Sequence, residues 1–323
     1  LVANEMRRRR VGEVVTYVVN RNINFTNVCI GNCRFCAFRR GINDKEAYFL
    51  NIEDITKRAK VAEAAGASEV CIQGGLHPDI DSSFYSDMLV AIKKATELHI
   101  HAFSPMEICY IAEKSGLGIK ETLKTLKEAG LDSIPGTAAE ILDDAVRERI
   151  CPHKIKTDEW KEIITTAHKL GIPTTATMMY GHVETSEDQI RHLKILRDIQ
   201  DETGGFTEFV PLSFVHFNAP LYKEGKSKSG ATGYEDLRVY VISRIFLDNF
   251  DNLQASWVKL GRKLSQLMLN FGANDLGGTL MEENISRSAG MNVEMMEQSE
   301  LERMIVDVNR VPKERDTLYN LKD

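Results

Sequence analysis

Cys29, Cys33 and Cys36 lie in the run Asn27-Val-Cys-Ile-Gly-Asn-Cys-Arg-Phe-Cys-Ala-Phe38, a C-x3-C-x2-C spacing with an aromatic residue directly before the last thiol. Cysteines spaced to hold a [4Fe-4S] cluster normally number four. With three thiolates, one iron keeps an open position, which suits a small molecule that chelates through an amine and a carboxylate. S-adenosylmethionine is such a molecule. Zinc is the competing use of close cysteines, but zinc sites close with a fourth Cys or His at short spacing, and the next histidine, His77, lies 41 residues beyond Cys36. Three unrelated thiols are a poor account, because three of the six cysteines fall within eight residues. Cys71, Cys109 and Cys151 read as reduced core or surface residues.

Other groups with chemical potential recur at a regular beat. Gly74 and Gly75 end an apolar run, where a missing Cβ lets backbone carbonyls approach a ligand. Ser104, Glu107, Glu140 and His182 follow later apolar runs; carboxylates there could hold ribose hydroxyls or an ammonium. Glu140 could equally offset a helix dipole at a helix start. Glu208, His216, Gln254, Trp257, Asn274 and Asp275 are polar groups in or just after the last apolar runs, and buried polar groups need partners, in the protein or in a ligand. His153, His168 and His192 read as surface or half-buried residues. Arg7 to Arg10 read as a solvated helix end rather than a binding patch.

These groups need a scaffold. Apolar runs at residues 14–25, 68–73, 99–103, 131–134, 172–178, 207–211, 253–257 and 273–276 alternate with amphipathic segments, including 52–65, 83–98, 119–129, 138–149, 157–170, 187–202, 234–248 and 259–271. Eight strands with intervening helices is the (β/α)8 count, so the expected fold is an α/β TIM-like barrel. Every suggestive group then falls after a strand, on the face where such barrels build active sites. Residues 1–290 form the expected barrel, with the cysteine loop at 26–38, and residues 291–323 a polar C-terminal helical tail packed on or beside it. The segment 212–233 is either a lid or a mobile loop. At 323 residues and 43% hydrophobic the chain can bury a large core. Its net charge of −6 gives no basic footprint for nucleic acid. No stretch of about 18 apolar residues predicts a membrane span, and no leader is evident, so a cytoplasmic protein is expected. Because the chain starts at Leu1 inside a helical pattern, an N-terminal piece is expected to precede it.

Residues 22–38, 71–78, 99–108, 131–142, 177–185, 206–220, 254–261 and 272–286 together resemble the radical S-adenosylmethionine superfamily. Within it they resemble the tyrosine 4-hydroxybenzyl-transferring subunit of 7,8-didemethyl-8-hydroxy-5-deazariboflavin (FO) synthase. The superfamily's Gly-Gly-Glu turn is Gly74-Gly75-Leu76 here, so contacts of that glutamate do not transfer. The resemblance implies a [4Fe-4S] cluster on Cys29, Cys33 and Cys36, with S-adenosylmethionine contacted by Phe35, Gly74, Gly75, Ser104 and Glu140. It implies that a 5′-deoxyadenosyl radical takes hydrogen from L-tyrosine, that the Cα–Cβ bond breaks, and that the 4-hydroxybenzyl radical adds to 5-amino-6-(D-ribitylamino)uracil on the route to coenzyme F-420. Glu107, His182, His216 and Asp275 are then expected as catalytic groups, and Gln254 and Asn274 as substrate contacts. A ring-closing FO synthase subunit of the CofG type and an electron donor such as ferredoxin or flavodoxin are the implied partners.

Relatives acting on futalosine compounds in menaquinone synthesis share the cysteine loop and the glycine turn, but carry a Gly-rich run where this chain has Pro135-Gly-Thr-Ala-Ala-Glu140. They are the nearest alternative. A non-catalytic iron-sulfur electron carrier or zinc protein is the alternative from another class. A fused two-enzyme synthase would need a second C-x3-C-x2-C, which the sequence lacks.

Overall fold

Apolar runs flanked by amphipathic helices form parallel strands because both faces of each strand can then be covered. A computed structural model describes residues 1–292 and 295–322 of the chain; Val293, Glu294 and Asp323, part of the expected tail, lie outside the described residues. Its strands are β1 (Val14–Val18), β2 (Asn20–Asn24), β3 (Glu69–Gln73), β4 (His99–Ala102), β5 (Thr174–Tyr180), β6 (Phe206–Ser213), β7 (Asp275–Gly278) and β8 (Val311–Glu314). β5 is buried at every position, as a strand covered on both faces must be.

The strand pairings close a ring. β2 pairs with β3 and β3 with β4, all parallel. His101 of β4 bridges to Ser133, and Ile134 bridges to Thr174 of β5. β5 pairs with β6, Phe209 bridges to Leu253, Gln254 bridges to Asp275, and β7 returns to β1 through Thr16. β1 and β2 act as one barrel strand interrupted at Val19, and the fourth and seventh expected strands are narrowed to single bridges at 133–134 and 253–254. The result is the expected (β/α)8 barrel.

Several local expectations change. The helix expected over 138–149 spans only Asp144–Ile150, capped by Asp143. Buried Arg147 explains the shortening: Nη1 donates to the carbonyls of Ala138 at 3.2 Å and Ala139 at 2.6 Å, and Nε to that of Ile155 at 3.1 Å, so the preceding turn is pinned out of helical register. An unanticipated helix, Pro105–Ser115, follows β4; Ser104 and Glu107 form its capping box. Arg7 is buried rather than solvated, paired with Glu13 at 3.0 Å. His192 is also fully buried, accepting from the Leu142 N–H and hydrogen-bonded to the Thr177 carbonyl, each at 3.0 Å.

The C-terminal segment is more than a polar tail. After the helix Gln298–Val306, β8 pairs parallel with β1. Arg315, which follows it, is buried between Asp275 and Glu208 at the N-terminal ends of the barrel strands. The tail therefore plugs the barrel floor.

Candidate active site

At the opposite end, the loops after the barrel strands surround a cavity of about 280 Å³. Its lining includes Cys29, Cys33, Phe35 and Cys36 from the loop after β2, Gln73 at the end of β3, and Gly74 to Leu76 just after it. Ser104 and Glu107 come from the cap and first turn of the helix after β4, Thr137, Ala138 and Glu140 from the fourth barrel position, and Met179 from the end of β5. Leu212 to Val215, Lys259, Ile285 and Ala289 complete the circuit.

The cysteine loop is irregular, yet its backbone is held from several directions. The Cys29 N–H donates to the Arg40 carbonyl at 3.1 Å, Ile30 to Leu76 at 3.0 Å and Arg34 to Ile150 at 2.8 Å. Against it packs the glycine turn. A Cβ on Gly75 would lie 2.1 Å from the Val28 carbonyl oxygen and 2.9 Å from Cys29 Cβ, and one on Gly74 would lie 2.5 Å from the Phe25 ring. Only glycine fits at either position. The N–H of Gly74 donates to Glu107 Oε1 and that of Gly75 to the Thr26 carbonyl, each at 2.9 Å. With both donors committed, the groups this turn can offer a ligand are its carbonyls.

Glu107 is a brace. Its Oε2 accepts from both the N–H and the hydroxyl of Ser104 at 2.7 Å, while Oε1 holds Gly74. Burial pushes its pKa up to about 7, against the opposing pull of those hydrogen bonds. Backbone strain surrounds it: Phe103, Ala138 and Glu140 have φ of 62°, 64° and 46°, left-handed values that side-chain-bearing residues rarely adopt. Such strain gathers where surrounding structure over-determines a site.

Lys154 was not anticipated from the sequence. Its Nζ pairs with Glu140 Oε1 at 2.5 Å and lies 5.2 Å from the centre of the Phe35 ring. Burial penalises this ammonium, but Glu140 and the sulfurs of Cys33 and Cys151 outweigh that cost and raise its pKa. Lys259 lines the same cavity and was also missed. Neither lysine carries a local signature; Lys154 reaches the site from a loop and Lys259 from the first turn of the helix Trp257–Met268, and the barrel sets where both arrive.

Six of the polar groups singled out in the sequence lie outside the cavity lining. Asp275 opens β7 instead of ending it, so it sits on the floor, accepting from Thr16 Oγ1 and Arg315 Nε, each at 2.6 Å. Gln254 donates to Glu208 Oε2 at 2.9 Å within the same floor network. Asn274 accepts from Arg244 Nη2 at 2.7 Å and donates to Asn252 Oδ1 at 2.9 Å, a structural clasp. Trp257 Nε1 donates to the Gly278 carbonyl at 2.9 Å. His182 is buried, with Nδ1 accepting from the Val183 N–H at 2.7 Å and Nε2 against the Met179 carbonyl at 2.9 Å. Burial lowers its pKa, so it is a neutral ring that shapes the loop after β5. His216 is outside the cavity lining, its ring packed on Phe217 and Tyr222 with centroids 4.3 and 4.5 Å apart.

Residues 212–215 line the cavity, and the rest of the segment up to 233 is tethered by backbone hydrogen bonds. Leu221 N–H donates to the Arg34 carbonyl of the cysteine loop at 2.7 Å, and Lys228 N–H to that of His182 at 2.9 Å.

The donor set fits an iron-sulfur cluster. All three cysteines are free thiols, and all three line the cavity. Burial pushes the Cys33 thiol up to about 12 and raises Cys36 as well. Such thiols ionise when metal takes the proton's place. Among the described residues, no three His, Cys, Asp or Glu side chains converge to hold a single ion.

A model of the radical SAM superfamily matches residues 23–196, and a model of the CofH/MqnC C-terminal region matches residues 203–323. The chain is 61% identical over 325 residues to the 5-amino-6-(D-ribitylamino)uracil–L-tyrosine 4-hydroxyphenyl transferase of Methanocaldococcus jannaschii, covering 99% of this chain and 90% of that one. Its identity to the protein of the same name from Methanopyrus kandleri is 55% over 320 residues, 98% of this chain and 87% of that one. Among solved structures it resembles methylornithine synthase (PylB), with a TM-score of 0.75 at 19% identity over 96% of this chain and 87% of that one. The FeFe-hydrogenase maturase HydG of Carboxydothermus hydrogenoformans gives 0.74 at 13% identity, over 98% and 72%. These two likenesses show the fold. By its sequence relatives the chain belongs to the radical SAM superfamily and, within it, to the family of 5-amino-6-(D-ribitylamino)uracil–L-tyrosine 4-hydroxyphenyl transferases.

Proposed function

We propose that this protein transfers the 4-hydroxybenzyl group of L-tyrosine to 5-amino-6-(D-ribitylamino)uracil, a step towards FO and coenzyme F-420. The observation that carries this reading is the composition of one cavity: three free thiols, a glycine turn and the Lys154–Glu140 pair share it with the apolar side chains of Met179, Leu212, Phe214 and Ile285. Cys29, Cys33 and Cys36 would hold a [4Fe-4S] cluster. When bound, the cluster and S-adenosylmethionine would supply a hydrogen-abstracting 5′-deoxyadenosyl radical.

The protein's share is orientation and exclusion of water. The carbonyls of Gly74 and Gly75 face an ammonium, and Lys154 offers a cation to a carboxylate. Phe35 presents an aromatic face for adenine. Glu140, held in a left-handed backbone conformation, keeps one carboxylate oxygen on Lys154 and has the other for ribose hydroxyls. Ser104 and Glu107 position the glycine turn, and the segment 212–233 covers the mouth. Among the described residues no helix is long and apolar enough to cross a membrane. A cytoplasmic setting, an electron donor of the ferredoxin or flavodoxin kind and hand-over to a ring-closing subunit complete the reading.

The test is an anaerobic assay of reconstituted protein with dithionite, S-adenosylmethionine, L-tyrosine and 5-amino-6-(D-ribitylamino)uracil, read by mass spectrometry. Both 5′-deoxyadenosine and the hydroxybenzyl adduct are expected. 5′-Deoxyadenosine without adduct would overturn the substrate assignment and direct the search to futalosine compounds; neither product from a fully loaded cluster would overturn the catalytic reading.

A further inference from the structure

The cavity holds a second cation, Lys259, that makes no direct ion pair among the described residues. Lys259 Nζ donates to Ser286 Oγ at 2.7 Å, and among the described residues no carboxylate lies within ion-pair distance of it. The acidic side chain that pulls on it most, Glu283, is engaged elsewhere: Oε1 accepts from the Ser286 N–H and Oε2 from Asn22 Nδ2, each at 2.7 Å. An ammonium has three donors, and among the described residues one of them is used. Lys259 is one of the residues that line the cavity. Burial lowers its pKa, against the weaker pull of Glu283 and Glu140. A cation enclosed with one neutral partner is costly unless a ligand brings the counter-charge.

The proposed function names three ligands, and their charges sort them. S-adenosylmethionine and L-tyrosine each carry one α-carboxylate, whereas the ribitylaminouracil is neutral. Lys154 stands beside Cys33 and Phe35, on the cluster side. Lys259 comes from the first turn of the helix Trp257–Met268, which follows the seventh barrel position, and shares the cavity lining with the apolar Phe214 and Ile285 that would suit a phenol ring. Resting on the reading above, we propose that Lys259, oriented by Ser286, binds the α-carboxylate of L-tyrosine and so selects an amino acid over a simple phenol or amine.

The test compares full-length, cluster-loaded wild type with Lys259→Met and Lys259→Arg by anaerobic calorimetry, using L-tyrosine, tyramine and S-adenosylmethionine as separate ligands. Losing one enclosed charge-assisted contact is expected to weaken tyrosine binding about 100-fold, with S-adenosylmethionine affinity unchanged and most of the loss recovered in the arginine variant. Wild type should prefer tyrosine to tyramine strongly, and Lys259→Met should bind both alike. Ser286→Ala, which leaves the lysine in place, should weaken tyrosine but not tyramine, and serves if the methionine variant fails to fold. Unchanged tyrosine affinity in Lys259→Met, or a loss confined to S-adenosylmethionine, would overturn the inference while leaving the proposed function intact. A wild type that binds no tyrosine and forms no adduct would overturn that function, and this inference with it.

Discussion

Gly75→Ala tests the coupling between the glycine turn and the cysteine loop. The new Cβ would stand 2.1 Å from the Val28 carbonyl oxygen, 2.7 Å from the Val28 carbonyl carbon and 2.9 Å from Cys29 Cβ. Two of these are backbone atoms, so no side-chain rotation relieves the contact. Reaching an ordinary van der Waals separation from the carbonyl oxygen needs a retreat of roughly 1.5 Å, while a working site tolerates displacements of only about 0.5 Å in its ligating groups. Overpacking of this kind costs about 1–3 kcal/mol. With an unfolding entropy of about 2.1 cal/mol/K per residue, or about 0.7 kcal/mol/K for 323 residues, that lowers Tm by about 1–4 °C. The larger effect should be local: iron bound per chain after reconstitution, and 5′-deoxyadenosine formed, should fall much further than Tm. Gly41→Ala is the control, because its Cβ would meet nothing within 4 Å. Full iron content and full S-adenosylmethionine cleavage in Gly75→Ala would refute the claim that this turn sets the position of Cys29.

Arg147→Met should strand the carbonyls of Ala138, Ala139 and Ile155, costing about 3 kcal/mol in urea unfolding, and should weaken S-adenosylmethionine binding as Glu140 relaxes from its left-handed conformation; unchanged affinity would separate Arg147 from the site. His192 has its pKa lowered by burial from 6.5 to about 3. The unfolded chain therefore binds more protons between those values, so the stability contributed by the neutral ring is complete above pH 6.5 and is lost as pH falls, at about 1.4 kcal/mol per unit. His192→Gln should remove that slope: wild-type stability relative to the variant should drop by about 2 kcal/mol between pH 7 and 5, and a pH-independent difference would contradict the assignment. Deleting residues 225–230 should loosen the cover over the mouth and release 5′-deoxyadenosine without the matching adduct; unchanged coupling by mass spectrometry would remove this segment from the mechanism.

The sequence by itself determined the features whose physics is local. Three thiols within eight residues share one loop in any fold, and the alternation of apolar runs with amphipathic segments leads to a parallel barrel because covered strands must be apolar on both faces. Cys29, Cys33, Cys36, Phe35, Gly74, Gly75, Ser104, Glu107 and Glu140 meet in one cavity because each follows a barrel strand at the same end. The tertiary structure decided the rest. Asp275 looked like a mouth residue while the last strand was read as residues 273–276; the strand actually begins at Asp275, and that shift of two residues moves the carboxylate to the opposite end of the barrel, where Arg315 meets it. Nothing near Asp275 in the chain announces an arginine 40 residues later. Lys154 and Lys259 likewise look like ordinary surface lysines, since what makes them site residues is enclosure by loops distant in sequence, and enclosure is a property of the closed ring rather than of any segment.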